Sequence, residues 1–83
     1  MPSAELEAAA AKVKTLTESP SNENLLELYA LFKQATVGDN NTERPRMFDL
    51  KGRAKWDAWT SKKGISSEEA EKEYIAVVAK LTA

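Results

Sequence analysis

The 83-residue chain contains no cysteine and no histidine. The first absence removes disulfide staples and thiolate nucleophiles, and the second removes imidazole acid–base chemistry. Together they take away the usual sulfur and nitrogen ligands of a zinc site. An excess of one charge is also missing: twelve Lys and Arg stand against thirteen Asp and Glu, a net charge of −1. That lacks the strongly basic footprint of a general nucleic-acid binder, so any anion site must be a local cluster of cations. Long apolar runs are absent too. The longest, Tyr74 to Ala79, falls far below the ~20 residues needed to span a bilayer. Near the N-terminus, Ala8 to Ala11 lie among Glu5, Glu7, Lys12 and Lys14, whereas a signal peptide has an apolar run behind a basic start. The expectation is a soluble, cytoplasmic, monomeric protein without metal or cofactor. Its length suits one domain, residues 1–83, that buries only roughly 60% of its unfolded surface.

What is present reads as helix. Leu6, Ala9, Ala10, Val13 and Leu16 follow the three-and-four spacing of one helix face behind Ser3, predicting a first helix over about 4–16. Thr17-Glu18-Ser19-Pro20 is a short connection, because the residue before proline is pushed out of helical geometry. Ser21 then caps a second helix over about 22–36, with Glu23 at the positive end of its dipole. Leu25, Leu28, Tyr29 and Phe32 form its stripe, and Leu26 and Leu31 widen it beyond what packing on one neighbour needs. From Val37 to about Leu50 no period persists, and Asn40, Asn41 and Pro45 supply turn chemistry. A connection this long in a small domain is more often functional than idle. Asp49 caps a third helix over about 50–62 that carries Trp56 and Trp59 and closes on Lys62, Lys63 and Gly64. Ser66 and Glu69 make a capping box for the fourth, with Ile65 and Ala70 as a hydrophobic staple and Ala70, Tyr74, Val77, Val78 and Leu81 as its stripe. No strand pattern or internal repeat occurs. The fold class is an all-α four-helix bundle with a long loop between helices two and three.

Candidate chemistry is sparse. Tyr29, Phe32 and Lys33 lie at i, i+3 and i+4 and share a helix face. Spacing alone favours rings in the core with the Lys33 stem laid over them. The sharper reading is a stacking surface beside a phosphate-binding cation, suited to a nucleotide-like ligand. Lys51 and Lys55 form a second cationic column, with Trp59 four residues after Lys55 and in reach of a cation–π contact. Arg53 has Asp49 and Asp57 four residues to either side and is expected to pair with them. Lys14 reads as a surface lysine, and Tyr74 as a stripe residue whose hydroxyl needs a partner if buried. Asn40-Asn41-Thr42 matches a glycosylation sequon, set aside as a chance match without a secretion signal. The carboxylates form no evident catalytic pair, so nothing selects an enzyme.

The blocks LLELYALFKQATVGDNNTERPRMFDLKGRAKWDAW and AEKEYIAVV resemble the acyl-CoA-binding protein family over nearly the whole chain. The ordered segments Lys33 to Gly38, Thr42 to Pro45 and Lys55 to Trp59 carry that resemblance. It implies an up-down-down-up bundle that binds medium- and long-chain fatty acyl-CoA esters, such as palmitoyl-CoA, without transforming them. The protein would then act as a cytosolic carrier and pool former. By the same resemblance Tyr29, Lys33 and Lys55 hold the adenine and 3′-phosphate of CoA. Lys14, Lys51, Phe32 and Tyr74 line the same bowl, and Leu25, Leu26, Leu28 and Ala54 meet the acyl chain. Three positions depart from the family pattern: Phe32 and Arg46 stand where tyrosine and glycine are usual, and Leu6 replaces an aromatic residue.

Other readings stay open on the residues themselves. An exposed apolar second helix can receive a partner helix in a protein–protein module. Lys51, Arg53, Lys55, Lys62 and Lys63 can serve a small nucleic-acid binder, against which the near-neutral charge speaks. An acyl carrier protein fails on a specific point, because Asp49-Leu50-Lys51 stands where an attachment serine is wanted.

Overall fold

Three serines and an aspartate set where the helices begin. Each side chain accepts a hydrogen bond from the backbone N–H three residues on: Ser3 from Leu6, Ser21 from Asn24, Asp49 from Gly52 and Ser66 from Glu69. Each bond satisfies one of the donors that a helix start leaves free. The computed structural model describes residues 3–16 and 18–83. Its helices are α1 (Ala4–Val13), α2 (Asn22–Thr36), α3 (Leu50–Thr60) and α4 (Ser67–Leu81). No strand occurs among the described residues, and the all-α four-helix bundle holds. Thr17, part of the expected first connection, lies outside the described residues.

Two helices end earlier than periodicity predicts. The first was expected over 4–16 but is α-helical only to Val13. Lys14, Thr15 and Leu16 instead donate to the carbonyls three residues back, at 3.2, 3.1 and 3.3 Å. The Thr15 hydroxyl also donates to the Lys12 carbonyl at 2.7 Å, competing for an acceptor the helix would need. The third was expected to reach residue 62 but ends at Thr60. Lys62 and Lys63 again bond three residues back, at 2.9 and 3.1 Å, a tightening common at helix ends. The chain then turns at Gly64, whose φ of 92° is cheap only for glycine.

Packing runs in a fixed order: α1 against α4, α4 against α2, and α2 against α3. Leu6, Ala9, Leu28, Leu31, Ala35, Ala70, Tyr74 and Val78 form the core between α1, α2 and α4. Leu6 is fully buried there. Because α2 is the helix shared by α3 and α4, its apolar surface must extend around two sides, which accounts for its wide stripe.

The 37–49 connection is pinned to α3 by polar bonds. Gly38, with φ 99° just past the end of α2, places its carbonyl where the Trp59 indole N–H donates at 2.8 Å. The Asn40 amide donates to the Thr60 hydroxyl at 3.0 Å, and its carbonyl oxygen accepts from the Thr42 N–H at 3.0 Å. The sequon asparagine is thus a buried bracket of the loop. Trp56 Nε1 donates to the Thr42 carbonyl at 3.1 Å, and Arg44 pairs with Asp57 at 2.9 Å. Asp57 therefore goes to Arg44 rather than to Arg53, and Asp49 is occupied as the α3 cap; the pairing expected for Arg53 gives way to loop anchoring. No non-glycine residue has a positive φ among those described, so the turn at Arg46 does not require a glycine.

Candidate functional site

The groove between α2 and α3 is built from one turn-spaced row on each helix. Asn22, Leu25, Leu26 and Tyr29 supply the α2 wall; Leu50, Lys51, Ala54 and Lys55 supply the α3 wall. The groove has a volume of about 480 Å³, within the range of sites that take small organic ligands. Leu25, Leu26, Leu50 and Ala54 make most of its lining apolar, and Lys51 and Lys55 add two cations to it.

Lys55 reaches across this groove: its ammonium lies 5.4 Å from the centre of the Tyr29 ring. Lys33, half-buried on α2, sits 5.1 Å from the centre of the Trp59 ring. The expected contact between Lys55 and Trp59 is therefore replaced by two crossed ones. Trp59 is buried with its indole N–H committed to Gly38, and Lys33 covers its ring from the neighbouring helix. The ion pairs among the described residues are Arg44 with Asp57 and Lys62 with Glu27, the latter at 2.8 Å and joining α3's end to α2. Lys33, Lys51 and Lys55 are in neither, so no carboxylate neutralises them there.

The other anticipated residues lie elsewhere. Phe32 and Tyr74 pack ring to ring, their centres 5.8 Å apart and their planes tilted by 57°. Tyr74 belongs to the core, and burial raises its hydroxyl above the ordinary value of 10.0. Leu28 also faces the core rather than the groove. Lys14 is an exposed residue at the C-terminal cap of α1, outside the groove lining.

Two features escaped sequence reasoning. Asn22 and Leu50 line the groove, and Leu50 is, like Met47 and Phe48 just before it, an exposed apolar residue; the signal was apolar residues in an otherwise polar stretch. The second is a polar latch. Gln34, only 1% exposed, donates through Nε2 to Asp39 Oδ1 and to the Ile65 carbonyl, each at 2.8 Å. Asp39 Oδ1 also accepts from the Gly64 N–H at 2.9 Å. Bonds from Gly64 and then Gln34, with help from Lys63, hold the Asp39 carboxyl below its ordinary 3.8. The latch ties the end of α2 to the turn before α4, and no periodicity rule marks it.

A small α-helical bundle with an open groove lined by apolar side chains and two lysines has the form of a helical binding protein. The family described as acyl CoA binding protein matches residues 3–78. The chain is 64% identical over 75 residues to Acyl-CoA-binding protein homolog 1 of Caenorhabditis elegans, covering 90% of this chain and 87% of that one. It is 58% identical over 83 residues to the Acyl-CoA-binding protein homolog of Drosophila melanogaster, covering 100% and 96%. The crystal structure of Oryza sativa Acyl-CoA-Binding Protein 2 superposes with a TM-score of 0.89 at 52% identity, covering 94% of this chain and 87% of that one. The chain belongs to the acyl-CoA-binding protein family.

Proposed function

We propose that residues 1–83 are one acyl-CoA-binding domain that holds medium- and long-chain fatty acyl-CoA esters and carries them, as a monomer, through the cytosol. The protein binds and releases its ligand unchanged and is not an enzyme. Tyr29 and Lys55 engage the nucleotide, with Lys33 and Lys51 as further cations for its phosphates. Lys14, outside the groove lining, is a further cation for the head group, and the Phe32–Tyr74 ring pair backs the bowl from the core. Leu25, Leu26 and Ala54 meet the acyl chain together with Leu50, and Leu28 backs them from the core.

The observation that carries this reading is the joining of apolar side chains and lysines outside any ion pair in the lining of a single groove. An acyl-CoA ester has the same division, a hydrocarbon tail and a polyanionic head. Removing a 16-carbon tail from water is worth about 12 kcal/mol gross at ~0.8 kcal/mol per methylene, from which the ordering of tail and side chains takes several kcal/mol. A solvated lysine–phosphate contact adds only about 0–1 kcal/mol. The tail therefore supplies affinity, and the head group selects the ester over free fatty acid.

Titration calorimetry with palmitoyl-CoA, free CoA and palmitate tests this. Palmitoyl-CoA binds tightest, and affinity rises along a series of saturated acyl-CoAs as methylenes are added. Equal binding of palmitoyl-CoA and palmitate removes the head-group role; no binding of any ester removes the function.

A further inference from the structure

A closed circuit of contacts surrounds Lys33. Its carbonyl, in the last turn of α2, accepts the N–H of Val37 at 2.7 Å and that of Gly38 at 3.2 Å. The Gly38 carbonyl accepts the Trp59 indole N–H at 2.8 Å. The Trp59 ring in turn lies under the Lys33 ammonium, 5.1 Å from the ring centre. Lys33 thus fixes, through its own backbone, the residue that fixes the ring on which its side chain rests. The register of ring and ammonium is set locally and does not depend on the more distant packing of the bundle.

The partner chosen matters as much as the position. A carboxylate would also hold a lysine, but it would cancel the charge and compete with any incoming anion. A π face attracts the ammonium through its quadrupole and leaves the charge whole. Among the described residues no carboxylate pairs with Lys33. Trp59 differs here from the other ring that carries a lysine. Tyr29, under Lys55, lines the groove and is open to a ligand, whereas Trp59 is only 6% exposed and outside the lining. Whatever Trp59 contributes to binding therefore passes through Lys33.

We propose that Trp59 is a positioning residue for the head group: its ring holds the Lys33 ammonium in place, still charged, for a phosphate of the acyl-CoA ester. This role presupposes that Lys33 meets such a phosphate. A free lysine gives up rotamer freedom when it meets an anion, and that cost is charged against affinity. A lysine already resting on a buried ring has given up part of it on folding. Trp59 thereby favours the phosphate-bearing ester and does nothing for the hydrocarbon tail.

Titration calorimetry on the full chain with a ring-fluorinated tryptophan at position 59 tests it. Fluorination keeps the shape of the indole and its N–H, so the Gly38 bond and the fold survive, but it drains the negative potential of the ring face. Palmitoyl-CoA then binds about twofold to threefold more weakly. Palmitoyl-pantetheine, which has the tail and thioester but no phosphate, binds as before. Trp59→Leu, which removes the ring, weakens palmitoyl-CoA by up to about fivefold, the limit set by a solvated lysine–phosphate contact, and Trp59→Phe recovers most of that loss. In a Lys33→Ala background neither the fluorinated residue nor Trp59→Leu has a further effect, because no ammonium is left to hold. Equal weakening of both ligands, or an effect that persists without Lys33, assigns Trp59 a structural role and overturns the proposal. Unchanged palmitoyl-CoA affinity in the fluorinated protein overturns it as well, and leaves the carrier function standing where Lys33→Ala still weakens the ester. Lys33→Ala without effect on palmitoyl-CoA removes the phosphate role of Lys33 and this role of Trp59 with it.

Discussion

The ammonium of Lys55 stands over the ring of Tyr29, 5.4 Å from its centre, and bridges α3 to α2 across the groove. An exposed contact of this kind is worth about 0.5–1 kcal/mol to the fold. Lys55→Ala therefore lowers unfolding stability by less than about 1 kcal/mol. The same change removes a cation from the proposed nucleotide end and weakens palmitoyl-CoA by up to about fivefold, while leaving palmitate binding unchanged. Chemical denaturation and calorimetry read the two effects separately. Unfolding of the domain by this substitution assigns Lys55 a structural role instead.

Trp59 anchors the long loop through one bond, its indole N–H to the Gly38 carbonyl at 2.8 Å. Trp59→Phe keeps a ring for Lys33 to cover but leaves that carbonyl without its donor. The expected loss is about 1–3 kcal/mol, covering the bond and the smaller ring, measured by urea unfolding. Amide exchange in residues 37–44 rises with it, because the loop loses its first attachment.

Gly38 itself turns the chain with φ 99°, and a Cβ built there meets nothing within 4 Å. Any penalty for Gly38→Ala is therefore conformational, without a clash. It amounts to about 1–2 kcal/mol, the cost of left-handed backbone for an alanine, and appears as a lower Tm.

The Asp39 carboxyl titrates below its ordinary 3.8 because the Gly64 N–H and the Gln34 amide favour its charged form. A depressed folded pKa gives stability that is fully present above the unfolded value and is lost as pH falls through the folded one. Asp39→Ala is accordingly less stable than wild type at neutral pH, and the gap narrows once pH drops below about 4. Unfolding curves of both proteins across that range check the sign; a gap independent of pH assigns the effect to packing alone.

The sequence and the structure agree where the cause is local. Ser21 with Asn24 and the stripe from Leu25 to Phe32 mark α2 to the residue, and the Ser66 cap marks the start of α4. Agreement ends where a choice depends on distant partners. Whether Thr15 continues a helix depends on where its hydroxyl bonds. Which lysine covers which ring depends on helices meeting across a groove, so i, i+4 spacing joined Lys55 to Trp59 while the fold joins it to Tyr29. Gln34 looks like any polar residue of an amphipathic helix until Asp39 and Ile65 close over it. Phe48 is apolar in the sequence, but only the turn at Arg46 decides that it faces outward.

The order in which the helices touch carries one more consequence. α3 reaches α4 and α1 only by way of α2, and α1 reaches the groove only by way of α4. Loosening α1 from its single neighbour leaves both walls of the groove standing. A disturbance at the α2–α4 seam separates the groove pair from the rest of the bundle. Substitutions along that seam, at Leu31 or Tyr74, thus propagate in two directions, and those at Ala9 propagate in one.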